Sequence, residues 1–316
     1  MAENISEIRF CPVNNLKETS PIVVLIDNNA LCDFQSNERY GDYLHKLENL
    51  YDKEKLLIVF SLYPFFEQIK GIFNEWSFNR ARNNLIAASK ICQKHLLPHP
   101  SINLKNVIGE IEEHDMIEED AFWRKIISEF IKCQSFEEFS EFLDELKNYI
   151  CDTIDSIYEG SMRVYTETKR IKEKLNIIDL VDYFKNNTND RKHFLSVIYS
   201  NLLKRFGIKS DKDNKLISLI YLANLYLYYD SILAENNLPR KSDFVDLEQA
   251  VYLDCCDYIL TNDGNYRSLI NDCPFIDLYG RAICLDEFIE KIESREFAML
   301  KRAPYNIKNI KYENNV

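Results

Sequence analysis

The chain has 316 residues, 46% of them apolar, which is ample for a buried core and rules out a disordered chain. A formal net charge of −12 argues against a generally basic nucleic-acid coat protein, although a local basic path and bound cations can offset an acidic average. Seven glycines and eight prolines are few for this length and favour long helices over an all-β fold.

Met1 to Ser20 reads as a polar leader with little periodicity. Pro21-Ile-Val-Val-Leu-Ile-Asp27 is a continuous apolar run ending in an acid, the pattern of a strand buried on both faces. A helix is predicted near Ala30 to Tyr51, then a second buried strand at Leu56 to Phe60. Ser61 opens a helix that carries Glu67 before Gly71. Strand, helix, strand, helix is the start of a parallel α/β sheet.

From about Glu75 to Asn237 helical periodicity dominates. Phe122, Ile126, Ile127, Phe130 and Ile131 recur at helical spacing, as do Phe139, Phe142, Leu143 and Leu146. Further helices are predicted near Ser161 to Leu175, Arg191 to Phe206 and Lys215 to Asn236. The span 75–239 therefore reads as an all-helical insertion or subdomain in an α/β domain formed by 20–74 and 240–300. Its charge is divided: acids dominate between Glu110 and Glu145, and bases between Arg163 and Lys215. Such clusters can be solvated helix faces, or the basic half can guide a phosphate backbone. The α/β pattern resumes at Lys241, with a helix from Asp243 to Leu253, a short strand leading into Thr-Asn-Asp263, another strand at Phe275 to Tyr279, and a last helix over Leu285 to Phe297.

Nine cysteines are an odd number without a CxxC pair, and the N-terminus carries no secretory pattern, so a reducing cytoplasm is the expected setting. Zinc lacks its usual ligand spacing. The most apolar stretch, Leu216 to Tyr229, contains Ser218 and Asn224 and falls short of a bilayer span, so no membrane is expected.

The acids at the ends of these elements are the candidate site. Asp27 and Asp263 each follow an apolar strand, and ligands of open parallel sheets bind beyond the carboxyl ends of the strands. Asp27 can alternatively cap the next helix, and Asp263 can form a tight turn with Gly264. Glu67 lies among Phe65, Phe66 and Ile69, where an unpaired carboxylate would be costly. Asp243 and Asp246 share a helix face at i, i+3, with Asp243 also suited to a capping box. Carboxylates without organised His or Cys suit hard cations such as Mg²⁺ or Mn²⁺.

Four segments together resemble the PIN-domain nucleases: Ile-Val-Val-Leu-Ile-Asp27-Asn-Asn, Phe-Ser-Leu-Tyr-Pro-Phe-Phe-Glu67-Gln-Ile-Lys-Gly, Asp246-Leu-Glu-Gln-Ala and Ile-Leu-Thr-Asn-Asp263. The resemblance covers roughly residues 20–74 and 240–290 and leaves out the helical insertion. It implies a three-layer α/β/α fold around a parallel sheet and a Mg²⁺- or Mn²⁺-dependent endoribonuclease that cuts single-stranded RNA with metal-activated water. Carried over by position, Asp27, Glu67, Asp246 and Asp263 would be the catalytic, metal-binding acids, with Asp243 auxiliary. Two rivals stand beside this expectation. One is a structure-specific DNA nuclease on the same fold. The other is a catalytically weak PIN-like module whose helical insertion binds a protein partner.

Overall fold

The chain is described from a computed structural model. It covers residues 9–10, 22–36, 40, 43–52, 55–73, 78–92, 95–97, 113–194, 197, 227–240, 247, 249–254, 256–273 and 280–294. Two apolar runs, Ile22–Ile26 (β2) and Leu56–Phe60 (β3), form the centre of the sheet, and every residue of both is buried. A strand with no polar position suits the middle of a parallel sheet, where both faces are covered. Arg9–Phe10 (β1), His95–Leu96 (β4), Tyr258–Leu260 (β5) and Ala282–Ile283 (β6) complete it in the order β1-β4-β3-β2-β5-β6. Every pairing is parallel.

Helices Asn28–Ser36 (α1), Leu44–Asp52 (α2), Leu62–Phe73 (α3) and Phe78–Ile91 (α4) lie between the early strands. Of the predicted helix over 30–51, the described residues show α1, a helical Tyr40 and α2, while 37–39 and 41–42 lie outside the described residues. Beyond β4 come Glu113–Lys132 (α5), Phe136–Leu175 (α6) and Leu180–Asn186 (α7). The predicted helices around Phe139 and over Ser161 to Leu175 merge into the single 40-residue α6. Its one interior glycine, Gly160, costs only about 1 kcal/mol relative to Ala, too little to break so long a helix. Ser135 caps its start by accepting the Glu138 N–H, and Asn176, at φ 51°, ends it in the left-handed conformation.

The strand β4 falls inside the span read from sequence as wholly helical; at two residues it is too short to show a period. Near the C-terminal end, Gln249–Asp254 forms a 3₁₀ helix (η1), followed by Gly264–Asn271 (α8) and Leu285–Glu293 (α9). The predicted strand at Phe275 to Tyr279 and most of the predicted helices over 191–206 and 215–236 lie outside the described residues. Within those helices, 191–194 and 227–234 are helical.

Alternate residues of the strands enter two apolar clusters. Ile22, Val24, Ile26, Ile58, Phe60 and Leu260 join side chains of α1 to α6 and α9. Val23, Leu25, Leu57, Val59 and Ile259 join α7, the 227–234 helix, η1 and α8. The first cluster draws α5 and α6 into the sheet's own core. Phe130 of α5 packs its ring against Phe65 of α3 and Phe78 of α4 at centroid distances of 6.2 and 5.1 Å, and against Phe139 of α6 at 4.7 Å. Among the described residues no helix is long and apolar enough to cross a membrane.

Candidate functional site

The register aligns Ile26 with both Phe60 and Leu260, and Leu260 with Ile283. The next residues, Asp27, Ser61, Thr261 and Cys284, therefore stand in a row along the carboxyl edge of the sheet. The chain runs from β2 outward to β3 and β4, then returns to the other side of β2 to form β5 and β6. That reversal makes the gap between β2 and β5 the topological switch point, where a crevice opens for ligands in sheets of this kind. Asp27 and Asp263 flank it.

Asp27 is only 1% exposed. Its Oδ1 accepts the Asn28 backbone N–H at 2.7 Å and the Gln249 side-chain N–H at 3.1 Å, and its Oδ2 accepts the Thr261 hydroxyl at 2.8 Å. Burial pushes the carboxyl above its ordinary value, while the hydrogen bonds from Thr261, Gln249 and the backbone of Asn28 and Asn29 oppose that shift. All these donors are neutral. The Asp27 carbonyl also accepts the Leu31 N–H at 2.9 Å, so the residue starts α1 as well as ending β2. The cap and the strand-end position are one and the same placement.

Glu67, half-buried on α3, meets Asp27 through a single intermediary. Asn28 Nδ2 donates to Glu67 Oε2 at 2.7 Å, and Asn28 is the residue directly after Asp27. Gln68 and Asn84 continue this polar layer inward. Asp263 is turned differently. Its carboxylate accepts the Tyr266 N–H at 2.9 Å and caps α8, while its own N–H donates to the Thr261 hydroxyl at 3.2 Å. Thr261 is thus the link between Asp27 and Asp263. Asn262 Nδ2 donates to Asp33 of α1 at 2.6 Å, which ties the loop after β5 to the helix after β2.

Asp243 and Asp246 lie outside the described residues. Among the described residues no group of three or more His, Cys, Asp and Glu side chains is arranged to hold a metal ion. At this edge of the sheet two buried oxygens, Gln249 Oε1 and Ser61 Oγ, have no hydrogen-bond partner among the described residues. Because Asp27 only accepts when ionised, Gln249 must turn its NH₂ toward it, and this leaves the amide oxygen without a donor. An unmet buried acceptor costs about 1–3 kcal/mol. An oxygen beside a buried carboxylate is a hard donor, and the pair Asp27 and Gln249, with Glu67 nearby, suits a hard cation.

The residues that join these acids were not singled out from sequence. Asn28 and Gln68 follow the marked acids directly, and Thr261 precedes Asn262-Asp263. Asn84 carried a usable signal: it interrupts the buried stripe Phe78, Ala81, Leu85 and Ala88 of α4 with an amide. Gln249 had none beyond lying near Asp246. No family model, curated protein or solved structure matches the chain.

Proposed function

We propose that the protein is a metal-dependent phosphodiesterase of PIN-like architecture, acting on single-stranded RNA. The observation that carries this reading is Asp27: a fully buried carboxylate at the switch point of a parallel sheet, whose donors among the described residues are all neutral, with the Gln249 oxygen, which has no donor among the described residues, beside it. A carboxylate so placed is costly unless positive charge joins it. The two apolar clusters, which gather alternate strand residues with different sets of helices, support the three-layer arrangement that the PIN resemblance implies.

Asp27 and Glu67 would hold the cation, with the Gln249 oxygen completing its protein ligands and Asp243 and Asp246 available by position from the segment before η1. Bound there, a Mg²⁺ or Mn²⁺ ion supplies Lewis acidity toward water and phosphate oxygens. The chain's own part is to exclude bulk water around Asp27, to fix its carboxylate through Thr261 and Gln249, and to keep Glu67 in reach through Asn28. Thr261 has a double role, since it also receives the Asp263 N–H and so sets the backbone beyond β5. The test is cleavage of single-stranded RNA with Mn²⁺ or Mg²⁺ by wild type and Asp27→Asn. Cleavage by the wild type alone is expected; equal cleavage by both ends the assignment.

A second reading has its own observation. Asp27 and Glu67 already belong to a continuous hydrogen-bonded layer, and Asp263 caps a helix. A catalytically weak PIN-like module that binds a protein partner needs no more than that. Wild-type protein that neither binds Mn²⁺ nor cuts RNA or DNA would favour it, and cleavage of structured DNA in preference to RNA would keep the chemistry and change the substrate.

A further inference from the structure

Three amides stand in line behind Glu67. Asn84 Nδ2 donates to Gln68 Oε1 at 3.1 Å, Gln68 Nε2 to Asn28 Oδ1 at 2.8 Å, and Asn28 Nδ2 to Glu67 Oε2 at 2.7 Å. An ionised carboxylate can only accept, so Asn28 must face Glu67 with its NH₂ and Gln68 with its carbonyl. Gln68 must then donate to Asn28 and accept from Asn84. One carboxylate thereby sets the direction of every amide in the line. The far end is closed by a thiol: Asn84 Nδ2 lies 3.8 Å from Cys32 Sγ, and Cys32 Sγ reaches Asn28 Oδ1 at 3.9 Å. Gln68 is 0% exposed and Asn84 8%. Both are buried away from substrate and reach the site through Asn28.

We propose that Gln68 and Asn84 are positioning residues, which lock the Asn28 amide and through it hold Glu67 in the orientation needed to share a divalent cation with Asp27. This rests on the metal-dependent reading above. Partners that orient a metal ligand from behind commonly change metal affinity by about 10–100-fold when removed. Gln68→Met is the informative variant. It keeps the length and volume but can neither donate to Asn28 nor accept from Asn84, so the line loses its direction.

Two readouts are taken on the whole chain. The first is the NMR signal pair of the Asn28 side-chain amide, assigned by its loss in Asn28→Ser. The second is Mn²⁺ affinity, followed by the loss of the free-ion electron paramagnetic resonance signal. In Gln68→Met the Asn28 signals are expected to shift and to exchange faster with solvent, and Mn²⁺ affinity to fall about tenfold or more. Asn84→Ala, a milder change at the far end, is expected to move both readouts in the same direction. Phe139→Leu, which loosens the core away from the line, is expected to move neither. Unchanged Asn28 signals in both relay variants overturn the proposal whether or not metal binds. Altered Asn28 signals with wild-type Mn²⁺ affinity overturn the positioning role. Wild type that binds no Mn²⁺, with Asn28 responding as expected, overturns the metal reading while supporting the hold on Glu67.

Discussion

Asn28 joins the two acids: its side chain donates to Glu67 at 2.7 Å, while its backbone N–H donates to Asp27 Oδ1, also at 2.7 Å. One residue therefore fixes carboxylates that belong to two different strand–helix junctions. Asn28→Ala removes the partner of Gln68 Nε2, a donor on a fully buried side chain. The expected loss is about 1–3 kcal/mol, read as a lower urea midpoint at unchanged m value.

Asp27 has a pH signature. Its carboxyl is raised above the ordinary value of 3.8 chiefly by burial. The folded state therefore takes up a proton more readily than the unfolded chain. That contribution to stability is full below the unfolded value and is lost as pH rises through the folded one. At neutral pH the ionised form is a burden, and Asp27→Asn relieves it. The amide can still accept from Asn28 and Gln249 and can donate to the Thr261 oxygen. Without added metal, Asp27→Asn is expected to melt higher than wild type at pH 7. The gap should close on acidification toward pH 4. A variant that melts lower at pH 7 would contradict the dominance of burial.

Mn²⁺ should reverse that order. A cation that binds only the folded state stabilises it by about 2.7 kcal/mol at a concentration 100-fold above its dissociation constant. Wild type is expected to show a rising melting temperature on Mn²⁺ titration, and Asp27→Asn a flat one. A rise of equal size in both would place the ion elsewhere.

Away from the site, Lys172 and Asp230 form an ion pair at 13% and 6% side-chain exposure, and Asp230 Oδ2 accepts the Leu180 N–H at 2.9 Å. The pair joins α6, the start of α7 and the 227–234 helix. Lys172→Met strands a buried carboxylate and is expected to cost about 3 kcal/mol, the low end for such pairs because Lys172 keeps some exposure. Lys172→Met with Asp230→Asn should recover most of it, since Asn still accepts from Leu180. A double-mutant cycle in urea measures the difference.

Phe130→Ala is expected to cost about 3–5 kcal/mol. Its ring is fully buried where α3, α4, α5 and α6 meet. Because this cluster also contains the central strands, unfolding of a Trp76→Phe variant, whose tryptophan fluorescence reports Trp123 in α5 alone, should coincide by fluorescence and circular dichroism. An earlier fluorescence transition would show that α5 and α6 come apart from the sheet on their own.

The central strands and the placement of Asp27 were legible because β2 and β3 are unbroken apolar runs, each the length of one strand. The edge strands were not. At two residues, β4 and β6 owe their pairing to neighbours brought close by the fold, which leaves no period to read. For the site, the acids announced themselves by following strands, but their orientation did not. Asp263 turns to the Tyr266 N–H, and Glu67 is linked to Asp27 through Asn28. Such choices depend on which donors the tertiary fold presents, and neutral amides such as Asn84 and Gln249 carry little weight in a reading tuned to charge.

The most direct measurement is anomalous diffraction from crystals soaked in Mn²⁺. The expected result is a manganese peak about 2.2 Å from oxygens of Asp27 and Glu67, with the Gln249 amide oxygen turned toward it. A map with no peak between these carboxylates would contradict the metal site and leave the hydrogen-bonded layer as its own end.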